Sequence, residues 1–165
     1  MSKSERVVHM DQLDWKDRAH GERLGSRRKQ LGAAAGSRKL GCSLFEIPPG
    51  KRPFPYHWHT ANEEAIYVLS GRGMLRLAGE EMPLSAGDYV ACPVGEEGAH
   101  QVINDSDEPL RFLCVSEMIA PEVVVQPDSD KIGVIVGSAP GATEGCTLLA
   151  WFRRGDGLTF DAEEL

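Results

Sequence analysis

His57 and His59 stand one residue apart in PYHWHTANEEAIYVLSG, residues 55–71, and are the first side chains here whose type and spacing suggest chemistry. On a strand, side chains two apart leave the same face. Both imidazoles then project together and Trp58 turns away. Their Cα atoms sit roughly 6.5–7 Å apart, close enough for both rings to lean onto one metal ion. Two histidines so placed are also ordinary polar partners for a neighbouring strand, so the pair alone does not decide.

Glu64 follows His59 after four residues, room for a tight turn that Asn62 suits. A carboxylate at the start of the returning strand can come back beside the two imidazoles. Glu63 should face the other way, whereas Ile66 and Val68 share the face of Glu64 and predict an apolar interior. In AGDYVACPVGEEGAHQVIND, residues 86–105, Gly87 and Asp88 make a turn, Pro93 and Gly95 a second, and His100 opens another strand with Val102 and Asn104 on its face. His9 and His20 fall in a polar leader and receive no role.

The elements that must position these groups read as β throughout. From Leu40 to Phe160 short apolar runs are cut at frequent intervals by Gly, Pro, Asn and Asp. Strands are expected near residues 40–47, 56–60, 63–71, 73–79, 80–86, 88–93, 99–105, 111–118, 131–137 and 147–153. So many short, evenly spaced strands argue for an all-β sandwich or barrel. Residues 1–40 read as polar and irregular, with a short strand at Arg6–Met10 and a modest helical pattern at Asp14–Leu24. The tail, RRGDGLTFDAEEL, reads as only partly ordered.

The order Gly50, His57-x-His59-x4-Glu64-x6-Gly71, then Gly87-x5-Pro93-x-Gly95-x4-His100-x3-Asn104, resembles the two signature motifs of the cupin superfamily. In that family the motifs supply His, His, Glu and a third His, which hold one divalent metal inside a small double-stranded β-helix (jelly-roll) barrel. The resemblance implies metal ligands at His57, His59, Glu64 and His100. It covers residues 40–118, and implies a barrel core there, a polar extension at 1–39 and C-terminal strands completing the same domain at 119–165. The leading glycine is one residue farther from His57 than the family spacing, and the Gly95-to-His100 gap is two residues longer. Both departures fall in predicted loops. The flanks look like those of small single-domain cupins that include a sugar-phosphate-isomerase-like group.

Three neutral imidazoles and one carboxylate suit Fe, Mn, Ni, Co, Cu or Zn, and ligand type does not choose among them. With five or six coordination, one or two positions stay open for water or substrate, as metal-assisted isomerase, dioxygenase or lyase chemistry on a small oxygen-rich substrate requires. A non-catalytic small-molecule-binding module is the alternative. A general base would have to come from Glu63, Tyr56 or Tyr67. A phosphate-bearing substrate would call on Arg76, Arg111, Lys51 or Arg52. Cys92 reads as a packed thiol near the barrel wall.

The 165 residues carry a net charge of −7, unevenly spread: residues 1–52 hold 12 of the 18 Lys and Arg. The basic stretch GSRRKQLGAAAGSRK has no interleaved aromatics and an acidic body behind it, which argues against nucleic acid and for a solvated loop or an edge against an acidic surface. No apolar run approaches the roughly 20 residues of a membrane helix, and the N-terminus has no apolar signal region. The expected location is cytoplasmic, with four singly spaced, reduced cysteines. The Val-rich runs PEVVVQ and KIGVIVG look able to serve as edge strands of a homodimer, as in small cupins.

Overall fold

The computed structural model describes residues 6–142 and 145–157. Among the described residues thirteen strands form three sheets. The largest runs in the order β1 (Lys16–His20), β2 (Leu24–Gln30), β3 (Leu40–Ile47), β10 (Leu110–Glu117), β5 (Glu64–Ser70), β8 (Tyr89–Cys92), with every pair antiparallel. A three-stranded sheet, β7 (Glu80–Ser85), β6 (Arg72–Leu77), β9 (His100–Ile103), closes over one face of it. A third sheet, β13 (Leu148–Arg153), β12 (Lys131–Val136), β11 (Glu122–Gln126), β4 (Trp58–His59), lies at the end of the chain's course. The architecture is the expected all-β jelly roll, although its hydrogen bonding is broken into three sheets and is not one closed barrel.

Strand alternation builds the core. Phe45 and Ile47 on β3, Leu110 and Phe112 on β10, and Ile66 and Val68 on β5 all point inward and meet Leu75, Leu84 and Val102 from the smaller sheet. The residues between them, such as Glu46, Arg111 and Tyr67, therefore face outward. Phe45 stacks on Phe112 at 5.4 Å between ring centres and meets Phe54 edge-on at 5.5 Å. Gly71, which ends β5, has φ +84°, and a Cβ there would lie 2.6 Å from the Pro109 carbonyl oxygen. Only glycine lets β5 turn directly into β6 at that point.

The leader differs from its expected form. Residues 16–30 are neither helix nor loop; they make the β1–β2 hairpin, and β2 pairs with the edge of β3. The basic stretch is held as strand because its charges have partners: Arg27 Nε donates to Glu46 at 2.6 Å, and Arg27 and Lys29 both lie over the Trp15 ring. In place of a strand at Arg6–Met10, His9 caps a single 3-10 turn at Met10–Gln12. The runs PEVVVQ and KIGVIVG form β11 and β12, each flanked on both sides. The free edges of their sheet are β13 and β4. Most of the expected partly ordered tail, residues 158–165, lies outside the described residues.

Candidate metal centre

Four short elements bring the predicted ligands together. His57 bridges His100 in antiparallel fashion, each backbone N–H donating to the other's carbonyl, at 3.2 and 2.9 Å. His59 follows on β4, and Glu64 opens β5. One donor atom from each of His57, His59 and Glu64 falls within 4.8 Å of the others. His100 Nε2 lies 3.3 Å from Glu64 Oε2, and His59 Nε2 lies 3.6 Å from the same oxygen. The ring centres of His57 and His100 are 4.7 Å apart.

Each imidazole is backed from behind. His57 Nδ1–H donates to the Pro55 carbonyl and His100 Nδ1–H to the Gly98 carbonyl, both at 2.9 Å. Those bonds turn the Nε2 atoms of both rings toward the site. Gly98 belongs to the 3-10 turn Glu96–Gly98, within the loop that is longer than the family spacing. A Cβ at Gly98 would fall 1.7 Å from the Pro93 oxygen.

His59 is backed by a residue that sequence reasoning did not single out. Glu122 Oε2 lies 3.4 Å from His59 Nδ1, and the Glu122 side chain is 1% exposed. Its two oxygens accept from the backbone N–H groups of Thr60, Ala61, Asn62 and Val123 at 2.9–3.1 Å, from the Thr60 hydroxyl at 3.0 Å, and from Asn62 Nδ2. The one available signal was an acid opening an otherwise apolar strand, EVVVQ.

The charges follow from this arrangement. Burial lowers the His57 pKa to about 3, with His100 and His59 adding to the effect. Burial also pulls down His59, but the carboxylates of Glu122 and Glu64 outweigh it and raise the group to about 9. Burial likewise opposes protonation of His100, yet Cys92 and Glu64 raise it to about 10. Glu64 is held well below the usual carboxylate range: burial opposes ionisation, and His100 and His59 more than offset it.

These residues fit a metal ion. His59 Nε2 is buried and has no hydrogen-bond partner among the described residues, and it faces Glu64. His57, His59 and Glu64 offer a mixed N/O donor set for a first-row divalent ion, while His100, which reaches Glu64, lies outside that mutually close group. Beside them lies a cavity of about 20 Å³, room for about one water, lined by His57, Glu64 and His100 on one side and by Phe54, Ile66, Phe112 and Cys114 on the other.

The other predicted groups lie elsewhere. Glu63 and Tyr67 are exposed, and Tyr56 is buried beneath the Arg76 guanidinium, 3.8 Å from its ring centre. Arg76 pairs with Asp128 at 2.5 and 3.0 Å, and Arg111 donates to Glu46 at 2.5 Å on the outer face. Lys51 Nζ donates to the Glu22 carbonyl, and Arg52 tethers the loop to Arg23 through its backbone N–H. Cys92 is buried as expected, whereas Cys146 is exposed.

Residues 43–116 match the family model of the cupin domain. A solved structure from Acidithiobacillus ferrooxidans, a candidate sugar phosphate isomerase, superposes with a TM-score of 0.80 at 27% identity, covering 95% of this chain and 97% of that one. A sugar phosphate isomerase from a cupin superfamily, from Silicibacter pomeroyi, gives 0.77 at 25% identity over 94% and 98%. An oxalate-binding protein from Thermotoga maritima is 33% identical over 43% of this chain. The match spans only 56% of that relative's length. By sequence match and by fold together, residues 43–116 are a cupin domain, extended by β1 and β2 before it and by β11 to β13 after it.

Proposed function

We propose that this chain is a metal-dependent enzyme of the isomerase type, acting on a small oxygen-rich substrate, with His57, His59, Glu64 and His100 holding one divalent ion. The observation that carries this reading is His59 Nε2, buried without a hydrogen-bond partner among the described residues and 3.6 Å from Glu64, near His57 and His100, whose Nδ1–H groups are tied back to carbonyls. A bound ion supplies Lewis-acid polarisation of a substrate oxygen. The protein's part is to keep the imidazoles in one tautomer, to hold Glu64 ionised and to present an apolar wall of Phe54, Ile66 and Phe112 that excludes bulk water. Likeness over nearly the whole chain to two isomerase-type structures supports the reaction class.

A non-catalytic binding role is the second reading. It is favoured by the absence, among the described residues, of any of the three predicted bases from the cavity wall. Metal content of protein purified without chelator, measured by mass spectrometry beside His57→Ala and His100→Ala, tests the ion first. Near-stoichiometric metal in the parent, lost in both variants, supports the site. Exchange of substrate C–H protons with D₂O, followed by NMR across small sugar phosphates and hydroxy-aldehydes, then separates isomerase from binder, and oxygen uptake reports dioxygenase chemistry.

The chain also reads as a homodimer. The support for this is β13, which among the described residues is an unpaired edge that leaves Leu148, Leu149, Trp151 and Phe152 exposed.

A further inference from the structure

The N-terminal hairpin places cations on the inside of the large sheet. Phe45 on β3 belongs to the core, and Arg28 on β2 is its register partner. Lys16 on β1 lies opposite Arg28, and Arg18, two residues along, lies opposite Ser26. By alternation Lys16, Arg18, Ser26 and Arg28 share the inner face. Two contacts agree with that register. The Arg18 guanidinium lies over the Phe54 ring, 5.1 Å from its centre, and Phe54 lines the cavity. Arg28 is half-buried; burial and then the charge of Arg18 lower its pKa, and the cavity-lining Cys114 acts on it in the opposite sense.

The two faces of the hairpin are treated differently. On the outer face Asp17 stands opposite Arg27, and Arg27 and Arg111 flank the buried Glu46. On the inner face no carboxylate pairs with Lys16, Arg18 or Arg28 among the described residues. Like charges set directly opposite one another on a sheet destabilise it. Arg28 spends one N–H on the Gly141 carbonyl, at 3.3 Å, and its neighbour on the same face, Gln30, donates to that oxygen at 3.0 Å. Among the described residues the rest of both guanidinium forks has no protein acceptor.

We propose that Arg18 and Arg28 form an anion-binding subsite, which takes the phosphate or carboxylate group of a substrate whose other end reaches the His57–Glu64–His100 cavity. The span suits a small molecule. Arg18 lies 5.1 Å from the Phe54 ring centre and that ring 5.9 Å from His57, so the two contacts bound the guanidinium-to-imidazole separation at about 11 Å. Planar guanidinium forks match the paired oxygens of either anion. The subsite lies outside residues 43–116, and Arg18 and Arg28 stand in it in place of Arg76 and Arg111, whose guanidinium groups are held by Asp128 and Glu46. The proposal rests on the reading of the cavity as a substrate site, although anion binding itself can be measured without a metal.

The test is calorimetric titration at low ionic strength with inorganic phosphate and, separately, with malonate. The proteins are the parent, Arg18→Gln, Arg28→Gln, the surface control Arg72→Gln, and His57→Ala. Phosphate or malonate should bind the parent and weaken at least about tenfold in each of the first two variants. Binding should persist in Arg72→Gln and in His57→Ala. The preferred probe assigns the substrate as a phosphate ester or a carboxylate. Retained anion binding in a parent that takes up no metal supports the subsite while ending the metal reading. No binding of either anion by the parent overturns the subsite. So does binding that ignores both arginines and disappears in His57→Ala, which would put the anion on the ion and leave the metal reading standing. Arg18 is exposed on an edge strand, so Arg18→Gln carries the test should Arg28→Gln fail to fold.

Discussion

His59 Nδ1 lies 3.4 Å from the carboxylate of Glu122, a side chain carried by β11 and not by the cupin domain itself. A carboxylate behind a ligating imidazole fixes its tautomer and raises its basicity. Glu122→Gln should therefore weaken divalent-metal affinity by about 10–100-fold, measured by competition with a chromophoric chelator. Glu122→Ala should also lower stability by about 3–5 kcal/mol, because the N–H groups of residues 60–62 and Val123 lose their acceptor and His59 loses the carboxylate facing it. Partial recovery of affinity in Glu122→Asp would distinguish positioning from simple unfolding.

Metal uptake should release protons. His59 and His100 are raised to about 9 and about 10 in the metal-free protein, whereas His57 is already neutral at its value of about 3. At neutral pH the first two rings must each lose a proton to become ligands. Calorimetry in buffers of different ionisation enthalpy should show about two protons released per ion. Apparent affinity should climb with pH until those two groups have titrated.

The metal-free protein should be most stable in mildly acidic solution. Burial opposes ionisation of Glu122, but His59, Asn62 and the Thr60 N–H hold its pKa down at about 2. Its contribution is full above the unfolded carboxylate value and is lost as pH falls through that value toward 2. His59 and His100 have raised values, so their contributions are full below the unfolded imidazole value and are lost as pH rises through about 9 and about 10. Glu64, also held low, and His57, lowered to about 3, act in the same sense as Glu122, their contributions being lost as pH falls below their unfolded values. Urea denaturation across pH should give this two-sided curve. Glu122→Gln should reduce the acid limb by about 3 kcal/mol and leave the part that His57 and Glu64 supply.

Gly98→Ala should damage fold and site together. The new Cβ would sit 1.7 Å from the Pro93 oxygen, so the turn must open and carry with it the carbonyl that holds His100. A loss of roughly 1–3 kcal/mol in stability is expected, typical of overpacking, along with reduced metal content. Thermal denaturation and mass spectrometry check the two effects independently.

Sedimentation should find a dimer at micromolar concentration. Leu149, 61% exposed on the free edge strand β13, is the position to disturb. Leu149→Lys should give a folded monomer whose melting temperature no longer depends on protein concentration. A parent that sediments as a monomer would end the dimer reading.

The strands that build the core were legible because their apolar residues alternate and glycine or proline ends them. The expected β3 at residues 40–47 coincides with Leu40–Ile47. Inner and outer faces also followed from alternation for Glu63, Glu64, Ile66 and Val68. The same rule, applied to Gly73-Met74-Leu75-Arg76-Leu77, would have turned Arg76 outward, because Leu75 is a core residue. The β1–β2 hairpin was not legible. Both of its faces are charged, and what holds it as strand is the edge of β3, Glu46 and Trp15. Glu122 was hidden for a related reason: its partners at residues 60–62 are remote in sequence and meet it only through the pairing of β4 with β11.

The four candidate ligands occupy the part of the chain shared with other cupins, while Glu122, Arg18 and Arg28 lie on strands added at either end. Inheritance of the motif and inheritance of the substrate are thus separable. Substitutions confined to the two flanks could retune the ion and exchange the substrate while every motif residue stayed in place. Relatives that share His57, His59, Glu64 and His100 would then be grouped by reaction more faithfully through what stands at positions 18, 28 and 122 than through the motif that unites them.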